Sequence, residues 1–461
     1  MKAQKQFDWP LANEAEALLR DYIDKFLAQN SFARQLAVRM REETGTDFFE
    51  WVDHLVLSPS DEKDFVKAGF VRDANAKTPD GESVFEHPHA TLPRVMLRAG
   101  QRQSPSLIAL RPEFVSEFIA ANNLSAEAEG EPFSRYRRLI VAKENGTTLE
   151  AVERRSYRGF VSAPLNAGEL QAIIKAKELW HTRRRAFTND GDGIQAANDV
   201  LKRSMDLVGR DLSCQFFFEA ERAWWEKRNR AAQTQKRRQD ALGLGWGNHD
   251  HHTFRCSREH FVDLIEFLLK LGFEKRERYY AGAEAGWGAQ ISEQPITGIV
   301  VFADVDLLPE ETQIDFSVQK LPSAPKLGTV GLWVGLHGES FLQAGMHHLE
   351  ARFDFNLLRE QLKTCGVNTM KPFSDFEFLR QAFTEGERWP VNPERAERLL
   401  ASNLITRDQF QQFIQEGAIG SHLEILQRHG GFKGFNQKSV SVVIAATDPR
   451  KDHFKTAPVA A

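Results

Sequence analysis

Two stretches far apart in the chain follow one plan, and this repeat constrains the fold more than any other feature. Residues 52–70 read "VDHLVLSPSDEKDFVKAGF" and residues 250–273 read "DHHTFRCSREHFVDLIEFLLKLGF". In each, an Asp-His pair (Asp53-His54, Asp250-His251) opens a run of β character, a serine-led turn starts a helix, and Gly-Phe leads into another strand. The strands that follow also correspond, "SVFEHPHATLPRVML" in the first copy and "WGAQISEQPITGIVVFADVDL" in the second. The repeat predicts two related βαβ-type modules whose first strands each carry a histidine.

The other segments are assigned around that pair. Residues 1–50 form an N-terminal helical segment, with apolar residues at helical spacing from Leu11 to Glu43. Residues 51–100 are the first module, 101–245 a helical insertion, 246–318 the second module and 319–418 a mostly helical insertion. Residues 419–461 supply a closing strand, a Gly/Phe-rich lid and a tail. The fold class is α+β: two modules in a cupped sheet, with large helical insertions.

Composition removes several functions. The chain has 461 residues and a net charge of −4, so the molecule as a whole has no electrostatic pull toward nucleic acid. The basic tract from Arg222 to Asp240 is a local exception, but such helix faces are usually just solvated. Cys214, Cys256 and Cys365 lack metal or disulfide spacing, no window is apolar enough to span a membrane, and the N-terminus has no signal-like core. The expectation is a cytoplasmic protein, monomer or homodimer, binding neither nucleic acid nor membrane. "LGLGWG" lacks the spacing and context of a dinucleotide loop.

Strand alternation separates the histidines of "GNHDHHTFR". His251, Thr253 and Arg255 share one face and His252 the other, so His252 is expected to be dispensable for a metal. Arg255 lies ~13 Å beyond His251 at ~3.3 Å per residue and could clamp a carboxylate, as could Arg94. A third ligand with open positions remaining is best met by a carboxylate. Glu424 in "SHLEILQRHGG" is suited to this, with Glu86 and Glu293 as competitors and His87 or His89 as further ligands. "HGGFKGFNQ" reads as a lid that drops Phe432 and Phe435 over a cavity.

These residues resemble the vicinal oxygen chelate superfamily, whose paired βαβββ modules cup a divalent metal. Within it, "HATLPR", "SLIALRPEFV", "HHTFR" and "LEILQR" are similar, in order, to the bacterial 2-oxoadipate dioxygenase/decarboxylase (hydroxyglutarate synthase) family. "LEILQRHGGFKGFN" is also similar to the closing strand and lid of 4-hydroxyphenylpyruvate dioxygenase. The resemblance implies Fe(II) held by His54, His251 and Glu424, and a 2-oxo acid and O2 as substrates. A 2-hydroxy dicarboxylate and CO2 would be the products, as in lysine catabolism. Ser58, Phe432, Phe435, Gln437 and Ser441 would lie at the substrate or lid. Ser58 stands where the family places a carboxylate-reading arginine, a departure that leaves Arg255 or Arg94 for that duty. The alternatives are a glyoxalase-like isomerase or lyase using Ni(II) or Zn(II), and a non-enzymatic two-module binding protein.

Overall fold

In the computed structural model, residues 9–101, 103–282, 285–436, 444–445 and 447–450 are described. Two mixed sheets organise them. The first contains β1 (Val52–Leu57), β2 (Val71–Arg72), β3 (Ser83–Glu86), β4 (Arg94–Leu97), β5 (Leu107–Leu110), β6 (Tyr136–Glu144) and β7 (Thr147–Arg154), in the order β2-β3-β4-β1-β5-β7-β6. The second contains β8 (His249–Arg255), β9 (Glu274–Tyr280), β10 (Trp287–Glu293), β11 (Val300–Asp306), β12 (His348–Arg352), β13 (Ser374–Phe376), β14 (Leu379–Phe383) and β16 (Ala418–Arg428). Their order is β13-β14-β16-β12-β8-β11-β10-β9, and β15 (Glu387–Trp389) pairs with β16 alongside.

The repeat seen in the sequence is present in both sheets. β1, the helix Glu62–Lys67 and β2–β4 form one strand-helix-three-strand unit with β1 parallel to β4; β8, the helix Phe261–Lys270 and β9–β11 form another with β8 parallel to β11. Gly69 and Gly272 have φ of 95° and 87°, left-handed values that a β-carbon would strain, which is why Gly precedes Phe at each helix end. The helix Phe261–Lys270 is held by its spacing, burying Phe261, Leu264, Ile265, Phe267 and Leu268 on one face. Each such side chain contributes about 1.5–3 kcal/mol.

The expected pairing of these two units with each other is corrected. Each packs edge to edge with a neighbour that the sequence reading had placed in an insertion. In the first sheet β5 runs antiparallel to β1, and parallel to β7. In the second, β12 runs antiparallel to β8 and parallel to β16. Residues 101–245 therefore contain β5–β7 as well as helices, and residues 319–418 contain β12–β15. Several of these strands are short and buried on both faces, and β5, apolar throughout, lacks the alternation that identifies a half-buried strand.

Helices cover the outer faces. The long helix Asp190–Glu226, broken at Gly209, sends Phe217 and Phe218 onto Phe254 and His252 of β8. The basic tract has one inward face: Arg222 contacts His252 and Glu113, and Trp225, Gln235 and Gln239 are buried, while Lys227, Arg230 and Arg237 are exposed. Among the described residues no helix is long and apolar enough to cross a membrane.

The helix Thr329–His337 supports the start of β16. His337 donates from Nε2 to the Ile419 carbonyl at 3.1 Å, and its ring lies 5.5 Å from Trp333 and 5.3 Å from Trp389. Burial lowers its pKa to about 3. Because the folded value lies below the ordinary histidine value, the stabilisation is complete above about pH 6.5 and is lost as pH falls toward 3. Denaturant titrations at pH 7 and pH 5 should show the wild type losing about 2 kcal/mol more than His337→Phe over that interval; equal losses would show that His337 is not held neutral.

Candidate metal centre

The second sheet brings three ligand-type groups together at its centre. His251 on β8, His348 on β12 and Glu424 on β16 are all buried, with ligand atoms within 4.8 Å of one another, and could hold one metal ion. Register explains the convergence. Glu350 of β12 lies opposite His251 on one side and Glu424 on the other, while His348 lies opposite Thr253, one place along on the same face. Leu349, Ala351, Leu423 and Ile425 point the other way into the apolar core.

Both imidazoles are oriented by partners on Nδ1, leaving Nε2 to face Glu424. His251 Nδ1 is 2.9 Å from Glu350 Oε1 and 3.4 Å from Asp250 Oδ1, and its Nε2 is 4.0 Å from Glu424 Oε2. His348 Nδ1 is 2.8 Å from His347 Nδ1, and its Nε2 is 2.9 Å from Glu424 Oε2. Gln381 donates to both Glu350 and Glu424 at 3.0 Å. Outer partners of this kind fix the ring that a metal would bind.

The electrostatics suit a cation. Burial and then the neighbouring Glu350 charge push Glu424 well above the usual carboxylate range. Burial opposes a charged His251, yet Glu350 and Asp250 outweigh it and raise its pKa. Burial, His251 and His422 keep His348 neutral. Two histidines and one carboxylate on one face leave positions for exogenous ligands.

The triad opens into a cavity of about 60 Å³. Side chains of β8–β12, β14 and β16 all line it, so the sheet must curl around it. Phe302, Phe373, Phe383 and Phe435 supply its apolar wall, and Phe435 packs 5.6 Å from His251 and 4.2 Å from Phe302. Phe435 thus sits where a lid ring was expected. Phe432 packs instead on Phe378, and Gln437 and Ser441 lie outside the described residues.

His54 is not part of this cluster, which corrects the expected ligand set. It lies on β1 in the other sheet, with Nδ1 2.8 Å from Asp53 and its ring 4.9 Å from Phe160. The two sheets nonetheless match position by position. His54 aligns with Ala109 and Ala109 with Glu150, as His251 aligns with Glu350 and Glu350 with Glu424. Arg154 grips Asp53 through two bonds of 2.7 and 2.8 Å, as Arg428 grips Asp250 at 2.9 and 3.1 Å. The first sheet thus keeps the histidine and glutamate, but Leu107 occupies the register position of His348. An apolar cluster of Val56, Val84, Met96, Leu107 and Val152 surrounds it.

The other candidates are also placed. Ser58 caps the turn before the helix Glu62–Lys67. Arg94 on β4 donates to the Arg158 carbonyl and stacks on Phe160. Glu86 pairs with Arg158, Glu293 with Lys433 and Arg276, and His87 packs on Phe70, with the His89 amide donating to its Nδ1. Arg255 is fully buried on the His251 face, opposite Asp304 in register. It donates from Nη2 to Thr447 at 3.1 Å, while Nε and Nη1 have no partner among the described residues. Burial lowers its pKa to about 10 and raises that of Asp304 to about 7. His252 points away from the triad, against Phe218 and Arg222.

His348 is the ligand that the repeat did not reveal. Two signals mark it: "LEAVER" (residues 149–154) matches "LEILQR" (423–428), which pairs the closing strands, and "HHLE" (347–350) supplies the intervening strand.

No family model and no curated protein matches the chain. Among solved structures it is similar to a triple mutant of 4-hydroxymandelate synthase from Streptomyces coelicolor, at 14% identity over 87% of this chain and 98% of that one, with a TM-score of 0.28. It is also similar to methylmalonyl-CoA epimerase from Mycobacterium tuberculosis, at 13% identity over 40% and 88% of the two chains and a TM-score of 0.22. Glyoxalase I from Zea mays follows at 14% identity over 23% and 43%, with a TM-score of 0.18. Likenesses this weak decide nothing about activity, which rests on the geometry of the site itself.

Metal analysis of purified variants separates the two sheets. His348→Ala and His251→Ala should lose the bound divalent metal, whereas His54→Ala and His252→Ala should keep most of it. Leu107→His should add a second metal equivalent, because it restores the missing position beside His54 and Glu150. Loss in His54→Ala equal to that in His348→Ala would place the metal between the sheets instead.

Proposed function

We propose that the protein is an Fe(II)-dependent dioxygenase of the vicinal oxygen chelate type. It decarboxylates a 2-oxo acid resembling 2-oxoadipate and gives a 2-hydroxy dicarboxylate and CO2. The observation that carries this reading is the triad of His251, His348 and Glu424 on one buried face, open on its remaining side to a small aromatic-walled cavity. Bound there, Fe(II) would supply the site at which the 2-oxo acid and O2 meet. The strand-helix-three-strand units and their edge-to-edge pairing around β8 and β12 support the superfamily.

The chain's own residues orient the substrate and exclude water. Phe302, Phe383 and Phe435 close the cavity, and Gln381 holds Glu424 in place. Arg255 shares the face of the triad, and its Nε and Nη1 have no partner among the described residues, donors that a substrate carboxylate reaching that end of β8 would use. Glu350 Oε1 lies 2.9 Å from His251 Nδ1, on the side of the ring away from Glu424, where it would orient the imidazole.

Anaerobic loading with Fe(II), followed by an O2-uptake and CO2-release screen over 2-oxo acids, tests the reading. A dicarboxylic 2-oxo acid should give equal O2 uptake and CO2 release, and His348→Ala should abolish both. Absence of O2 uptake with every 2-oxo acid from iron-loaded protein would contradict it. Arg255→Met should retain iron and lose about 2–5 kcal/mol in kcat/KM on the dicarboxylic acid, with a much smaller loss on a monocarboxylic acid of similar length. Equal modest losses on both would mark Arg255 as structural.

A further inference from the structure

A second, larger cavity of about 970 Å³ lies between the two sheets, bounded by residues of both and separated from the triad's cavity by Phe435, which lines each. That volume is at the upper end for a small-molecule site. Basic side chains outnumber acidic ones on its wall, although the chain carries a net charge of −4.

Most of the acidic groups there are engaged; Asp211 pairs with Arg210 and accepts from Gln294, while Asp73 accepts only from the Asn75 amide. Asp53 is gripped by Arg154, and Asp250 by Arg352 and Arg428. Glu86 pairs with Arg158, and Glu293 with Lys433 and Arg276. Burial pushes Glu50 up to about 7, so it carries only part of its negative charge at neutral pH.

Three arginines are left without a close carboxylate. Arg111, which follows β5, has no side-chain hydrogen bond or ion pair among the described residues; its backbone N–H bonds to Trp51. Arg135 bonds only to the carbonyls of Arg155 and Ser156. Arg94 reaches Asp53 only at 3.9 Å. Burial, and then the repulsion of Arg154, lowers Arg94 to about 9; burial also lowers Arg111, with Arg154, Arg222 and Arg352 adding repulsion and Asp53 opposing it. A half-buried guanidinium with no close counter-charge is partly desolvated and open to an anionic ligand that supplies one.

We infer that this cavity is an anion-binding site, distinct from the triad and centred on Arg111, for a small molecule carrying two or more negative charges as carboxylates or phosphates. Guanidinium groups suit either chemistry, since each presents paired donors to two oxygens.

Isothermal titration of the full chain with inorganic phosphate, pyrophosphate and tricarballylate at low ionic strength tests the inference and separates phosphate from carboxylate ligands. At least one of the three should bind saturably, and Arg111→Met should weaken that binding at least tenfold. Arg203→Met, an exposed arginine elsewhere, should leave it unchanged. His348→Ala should bind like the wild type, so failure of the metal reading would not remove this one. Without ligand, Arg111→Met should melt at or above the wild-type temperature, because its loss removes repulsion and no native bond. Binding of none of the anions, binding unchanged in Arg111→Met, binding lost in His348→Ala, or a clearly lower melting temperature for Arg111→Met would each overturn the inference.

Discussion

The antiparallel junction of β8 with β12 is the constraint on which the site depends. It aligns Glu350 with His251 and His348 with Thr253, and the parallel β12–β16 pairing then aligns Glu350 with Glu424. Ladder hydrogen bonds fix that register, and a slip of one residue at this junction would put His251 on the opposite face from His348 and Glu424. Asp250 and Arg428 reinforce it by tying the start of β8 to the end of β16.

The same junction exists in the first sheet between β1 and β5, and its contents differ by a few side chains. Asp53, His54, Glu150, Arg154 and Phe160 stand where Asp250, His251, Glu424, Arg428 and Phe435 stand in the second sheet. Leu107 in place of His348 and Ala109 in place of Glu350 turn a ligand-bearing face into an apolar one. One backbone arrangement therefore gathers ligand-type groups on a face in one copy and forms a packed wall in the other. The difference lies in strand residues, not in topology.

Much of this was legible in the sequence. The strand 52–57, the helix-ending Gly-Phe turns and the opposite faces of His251 and His252 all follow from local pattern, whereas Glu424 had Glu86 and Glu293 as competitors on pattern alone. The pairing of modules was not, because strand partners are set by long-range contacts that local periodicity does not record. β5 is apolar throughout and shows no alternation, and the alternation of β12, His-Leu-Glu-Ala-Arg, runs over only five residues. His54 looked like a ligand because its local setting copies that of His251; what it lacks is a partner on the neighbouring strand, Leu107. The arginines facing the large cavity were equally hidden, since an unpaired charge is recognised only once every acid around it has been assigned.

The central claim is that one metal ion sits in the second sheet alone. An anomalous difference map from a crystal of the iron-loaded protein, recorded at the iron edge, tests it most directly. A single peak within bonding distance of His251 Nε2, His348 Nε2 and Glu424, with no density beside His54, is the predicted result. A peak bonded to His54, or one lying between the two sheets, would contradict the account.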